Sequence, residues 1–159
     1  MPAARELRRP GVLEAAAAAV LLAACAAGPP APATLDTAND TCGQCRMAVS
    51  DRRFAAQIVA PGEEPRFFDD LGCLRDYIAG HPELPDAAAA FVADHRTGEW
   101  VAAADALFSR KPSVATPMAS GLLAHRDARS RDSDPEAAGA QAVPAAELLG
   151  PFATKPEGE

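Results

Sequence analysis

The chain has 159 residues, a formal net charge of −7 and a pI near 4.9. That length suits one domain, and the acidic balance is a poor match to nucleic acid, which selects basic surfaces. The large apolar residues gather between Phe54 and Leu123, so the predicted core is smaller than the chain.

Arg5, Arg8 and Arg9 precede an apolar run from Ala15 to Ala24 that ends in Leu22-Ala23-Ala24-Cys25. A charged start, a short apolar stretch and small residues before a cysteine predict a lipoprotein signal over residues 1–24, with lipid on Cys25. The run is shorter than the ~20 residues that a membrane-spanning helix needs. Removing it takes away Arg5, Arg8, Arg9, Glu6 and Glu14 and moves the net charge from −7 to −8. Ala26, rather than an acidic residue, follows Cys25, which favours an outer-membrane anchor facing the periplasm. Residues 25–40 carry Pro29, Pro30 and Pro32 and predict a flexible linker.

The domain is expected over residues 41–127. Phe54 to Val59 predicts a strand, Pro61-Gly62 a turn, and Arg66 to Phe68 a second strand. Asp69-Asp70 offers a helix cap, and Leu71, Leu74, Tyr77 and Ile78 recur at helical spacing until Gly80 and Pro82. Ala88 to Asp94 and Trp100-Val101 predict strands about the Thr97-Gly98 turn. Asp105 to Arg110 is a short helix or strand, and Gly121 to His125 a strand after the Thr116-Pro117-Met118 loop. The expected fold class is therefore α+β, a small domain built of two strand-strand-helix units. Residues 128–159 are rich in charged and small side chains. They predict a mobile tail, with a short docking helix between Val143 and Leu149.

Sulfur is concentrated in Cys42-Gly43-Gln44-Cys45-Arg46-Met47, and Cys73 and Met118 lie further on. Thiolate and thioether donors select soft ions, Cu(I) above all, which is satisfied by two or three ligands. Zinc wants four nitrogen or sulfur donors and leaves the methionines unexplained. Two other uses of the motif stay open: a Cys42–Cys45 disulfide staple, or thiol-disulfide exchange at a Cys-x-x-Cys pair. Arg46, beside Cys45, is expected to lower the thiol pKa. His81, His95 and His125 are isolated in the sequence, with His125 a minor candidate for a copper donor. No phosphate loop, serine elbow or paired-histidine helix is present, so the chain is not expected to be an enzyme.

These residues resemble the NosL family of copper-chaperone lipoproteins. The matching pieces are the Leu-Ala-Ala-Cys25 signal, Cys42-x-x-Cys45-x-Met47, Arg53-Phe54-Ala55-Ala56-Gln57 and Phe68-Asp69-Asp70-Leu71-Gly72-Cys73-Leu74. Val92-Ala93-Asp94, Trp100 and Thr116-Pro117-Met118-Ala119-Ser120-Gly121 complete the set. The resemblance implies a Cu(I) site on Cys45 and Met47, with Cys42, Cys73 and Met118 as candidates for a third donor. It also implies delivery of copper to an exported enzyme, nitrous oxide reductase, through its assembly ABC transporter. Asp69 and Asp70 are expected to cap the helix rather than bind copper, since carboxylates suit hard ions. Arg46 and Ala119 depart from the family pattern, which favours glycine at both places.

Overall fold

The computed structural model describes residues 29–154. The predicted signal, Cys25 and the first linker residues lie outside the described residues. No helix among the described residues is long and apolar enough to cross a membrane.

Seven strands and three α-helices alternate in an α+β order. The first half contains β1 (Ala56–Val59), β2 (Arg66–Phe68), α1 (Leu71–Gly80), β3 (Ala89–Ala93) and β4 (Trp100–Ala102). The second contains β5 (Leu107–Arg110), β6 (Leu122–His125), α2 (Ala128–Asp132), β7 (Gln141–Val143) and α3 (Ala145–Leu149). Both halves share one plan. A hairpin is followed by a helix, and the next strand returns to the free edge of the hairpin's first strand. The sheet orders are therefore β2-β1-β3-β4 and β6-β5-β7, all antiparallel. The expected strand-strand-helix unit is present twice, with an added strand in each. The stretch expected as helix or strand before Arg110 is strand β5.

β1 is central because Ala56, Gln57 and Ile58 are buried on both of its faces. Phe68, Leu74, Val92, Leu122 and Leu149 fill the core between the elements. The halves are stitched by polar groups. The Asp94 carboxylate, fully buried after β3, accepts the backbone N–H groups of Arg96 and Thr97 and that of Arg126 beyond β6. The backbone N–H of His95 donates to the carbonyl of Ala124 at 2.8 Å.

Three expectations need correction. The linker is not free up to residue 40. Ala33 is held by the buried Gln57 side chain, which accepts from its N–H at 2.8 Å and donates to its carbonyl at 3.2 Å. Leu35 then enters the core. Proline content had argued for an extended arm, and an extended backbone is what a side-chain amide can clamp.

Residues 128–153 are likewise not a featureless tail. Asp127 caps α2 by accepting from the N–H of Ser130, and β7 pairs with β5 through Val143, Ala142 and Gln141. Leu148 and Leu149 of α3 are buried, and α3 packs on α1, so the expected docking helix is present. Composition misjudges the segment because main-chain pairing and buried polar contacts hold it, rather than a run of large apolar side chains.

His95 and His125 are not isolated. The carboxylate of Asp134 lies 2.6 Å from His95 Nδ1 and 2.9 Å from His125 Nε2, and all three residues are buried. Burial tends to raise the Asp134 carboxyl pKa. Donation from His125 and His95 and from the N–H of Glu136 outweighs it and holds the group down to about 2. The ordinary value is ~3.9. A carboxyl lowered by folding stabilises the native state above its unfolded pKa, and that contribution is lost as pH falls through the folded one. Acid titration between about pH 4 and 2 should therefore remove roughly 2 kcal/mol from this group. Urea midpoints across that range should fall more steeply for the native protein than for Asp134→Asn.

Candidate metal centre

Three structural pieces build the sulfur site. The first is the loop that opens the domain. A bridge between Thr41 and Ala48 closes it, the N–H of Cys42 donates to the carbonyl of Met47 at 2.7 Å, and that of Arg46 to Cys42 at 3.0 Å. The N–H of Gly43 donates to the carbonyl of Phe67 at 2.8 Å, which docks the loop on β2. A β-carbon at Gly43 would stand 2.7 Å from Arg66 Cγ, so glycine permits this approach.

The second piece is Asp69, at the exit of β2. The third is Cys73, in the first turn of α1. Asp70 caps that helix by accepting the N–H of Gly72 at 2.6 Å, as expected. Asp69 does not act as the cap. Its carboxylate accepts from the Cys45 thiol at 3.4 and 3.5 Å. One donor atom each from Cys42, Cys45, Asp69 and Cys73 lie within 4.8 Å of one another. Cys42, Asp69 and Cys73 are buried, and Cys45 is half-buried. All three cysteines are free thiols.

Burial pushes the thiol of Cys73 well up, and the neighbouring Cys42 and Asp69 push it further. Burial also raises Cys45 against the opposing N–H of Met47. The direction is opposite to the lowering expected from Arg46, which is not among the groups that shift this thiol. Both raised thiols hold their protons more firmly than a free cysteine, and that of Cys45 is donated in a hydrogen bond to Asp69. A metal that binds here displaces protons, so affinity rises with pH.

Met47 and Met118 stand outside this pocket. Their side chains are 56 % and 43 % exposed, which removes the common role of methionine as core filler. Met47 lies two residues from Cys45 on the same loop. The backbone N–H of Met118 donates to Asp70 at 3.0 Å, so the helix that carries Cys73 also holds the Met118 loop. A β-carbon on Gly72 would lie 3.0 Å from Ser120 Cβ, a measure of how closely that loop approaches. His125 is not part of the sulfur site and belongs with His95 and Asp134.

Arg46 and Ala119 are the non-glycine residues with positive φ among the described residues, at 68° and 57°. They are the two positions at which the resemblance led to an expectation of glycine. A side chain in this region costs roughly 1 kcal/mol. Ala119→Gly should therefore raise stability by about 0.5 kcal/mol or more, after the greater freedom of glycine in the unfolded chain is subtracted. The urea midpoint measures it.

Three free thiols, a carboxylate that accepts a hydrogen bond from one of them and two exposed thioethers describe a candidate soft-metal site on a duplicated α+β plan. The chain belongs to the NosL family, whose profile matches residues 32–146. Members of this family are copper-binding accessory proteins. The match begins near the clamped Ala33 and runs past His125 into α3, in agreement with the extent of the fold. Neither curated proteins nor solved structures give a significant match.

Sequence reasoning found every sulfur in the site but missed Asp69. The tandem Asp69-Asp70 reads as a redundant cap, and only the placement of Cys45 opposite Asp69 separates their roles.

Proposed function

We propose that the chain is a membrane-tethered Cu(I) carrier that delivers copper to an exported enzyme, nitrous oxide reductase, by way of its assembly transporter. The observation that carries this reading is the pairing of a half-buried Cys45 with methionines left in solvent on two adjoining loops. Cys45 and Met47 are the primary donors, Cys42 and Cys73 the inner thiols, and Met118 the donor from the facing loop. Copper is the cargo. A site with few ligands and thioethers at its rim lets an acceptor's sulfur attach before the carrier's own ligands leave, so tight binding and fast transfer coexist. Lipid on Cys25 would hold the carrier at the membrane, on the periplasmic side.

A zinc reading would use the three thiolates with Asp69 as a closed four-ligand site, and it has no need of Met47 or Met118. A thiol-disulfide enzyme would need Cys42 and Cys45 alone, and such a motif opens a helix after a strand. Here it lies in a loop ahead of β1. The deciding experiment is competition for Cu(I) against a chromophoric chelator in the reduced protein, native and Met47→Leu/Met118→Leu. Weakening by about tenfold or more, about 1.4 kcal/mol, supports the carrier. Unchanged Cu(I) affinity, with tight zinc binding or with insulin-reducing activity, would transfer the function to one of the other readings.

A further inference from the structure

We propose that His95, His125 and Asp134 form a second metal site, for a divalent first-row cation of the zinc type, separate from the sulfur centre. One ring nitrogen of each histidine and one carboxylate oxygen lie within 4.8 Å of one another. Imidazole and carboxylate donors suit zinc and its neighbours rather than Cu(I).

Both histidines already converge on one carboxylate oxygen. Asp134 Oδ2 is 2.6 Å from His95 Nδ1 and 2.9 Å from His125 Nε2. A metal with bonds of ~2.0 Å spreads its ligands to about 3.2 Å in a tetrahedron, so the two contacts with Asp134 would lengthen by about 0.6 and 0.3 Å. The remaining Asp134 oxygen accepts the N–H of Glu136 at 2.9 Å, which fixes the carboxylate's orientation.

The outer nitrogen of His95 carries the second part of the case. His95 Nε2 faces the Glu136 carboxylate at 3.3 Å, and His125 Nδ1 is buried without a hydrogen-bond partner. In the neutral metal-free state the inner nitrogens hold the protons for Asp134, which leaves the His95 Nε2 lone pair facing an anion. Metal at the inner nitrogens moves each proton to the outer one, with no net release. His95 Nε2–H then donates to Glu136, the carboxylate–histidine–metal arrangement that orients ligating imidazoles.

Space beside the Asp134 carboxylate is also present. Asp134 and the buried Ser109 line a cavity of about 340 Å³, and the Ser109 hydroxyl has no hydrogen-bond partner. Glu136, beside His95 Nε2, is half exposed. Three protein ligands with space for water describe an open zinc-type site.

The test uses the full chain with Cys25, Cys42, Cys45 and Cys73 all changed to Ala, titrated with Co²⁺ alone. The expected result is one Co²⁺ per chain, with the visible d–d bands of a nitrogen/oxygen site and no thiolate charge-transfer band. Affinity should fall at least tenfold in the same protein bearing Asp134→Asn, which keeps a carbonyl acceptor for the histidine N–H groups and so preserves the fold. Absence of Co²⁺ binding in the folded cysteine-free chain would overturn the proposal, as would binding that survives both Asp134→Asn and His125→Gln. If that chain does not fold, the native protein with its thiols filled by Cu(I) takes one Zn²⁺, and zinc-edge X-ray absorption decides. A shell of nitrogen and oxygen supports the site, and sulfur around zinc, or no zinc retained, refutes it.

Discussion

Replacing Cys45 by alanine should lower Cu(I) affinity by about 100-fold or more, about 2.7 kcal/mol. Cu(I) is content with two or three donors, so one lost thiolate removes a third to a half of the coordination. Cys45 also has a position that no other sulfur shares. It touches the inner cluster through Cys42 and Asp69, and the same loop places Met47 in solvent two residues on. Its removal therefore separates the buried thiols from the exposed thioethers. Cys73→Ala should weaken binding less, by about tenfold or under, because burial holds its proton most firmly and copper must displace it. Competition against a chromophoric chelator under reducing conditions ranks the variants. Equal losses at Cys45 and Cys73 would mean that the inner pocket alone holds the ion.

Asp70→Ala should cost about 3 kcal/mol of stability and weaken copper binding as well. The carboxylate is fully buried and accepts two backbone N–H groups, from Gly72 in the first turn of α1 and from Met118 in the facing loop. Loss of a helix cap costs about 1 kcal/mol, and a second buried donor left without a partner adds roughly 1–3. The loop bond has a further effect. Once it is broken, the Met118 backbone loses its hydrogen bond to the residue that caps the helix carrying Cys73. Asp70→Asn keeps one acceptor oxygen and caps well, so it should fall between the native protein and Asp70→Ala. Urea denaturation gives the stability order, and the chelator competition gives the affinity order. If Asp70→Ala loses stability but leaves Cu(I) affinity unchanged, Met118 is not a ligand.

Much of the first half was legible residue by residue. The spacing of Leu71, Leu74, Tyr77 and Ile78 marked α1, and Asp70 was readable as its cap. The turns at Pro61-Gly62 and Thr97-Gly98 separated β1 from β2 and β3 from β4. Local rules succeed there because each element's apolar period and its stop signals lie within a dozen residues. They failed at both ends of the fold. The Gln57 clamp on Ala33 joins residues 24 apart, and the contact of Asp134 with His95 joins residues 39 apart. Asp134 lies in a stretch where Asp127, Asp132 and Glu136 have much the same local character, and no short-range pattern singles it out.

The donor chemistry is thus a property of the sequence. Thiols and thioethers gathered beside turn residues select a soft ion wherever the chain places them, because ligand softness belongs to the atom. What only the tertiary structure decided is which donors meet and which stay in water. Cys73 joins Cys42 because α1 starts beside the loop docked on β2, Asp69 turns into the cluster while Asp70 turns to the helix, and two histidines far apart in the chain close on one carboxylate. Those choices depend on packing between distant segments, where burial makes each unpaired polar group costly enough to dictate its partner.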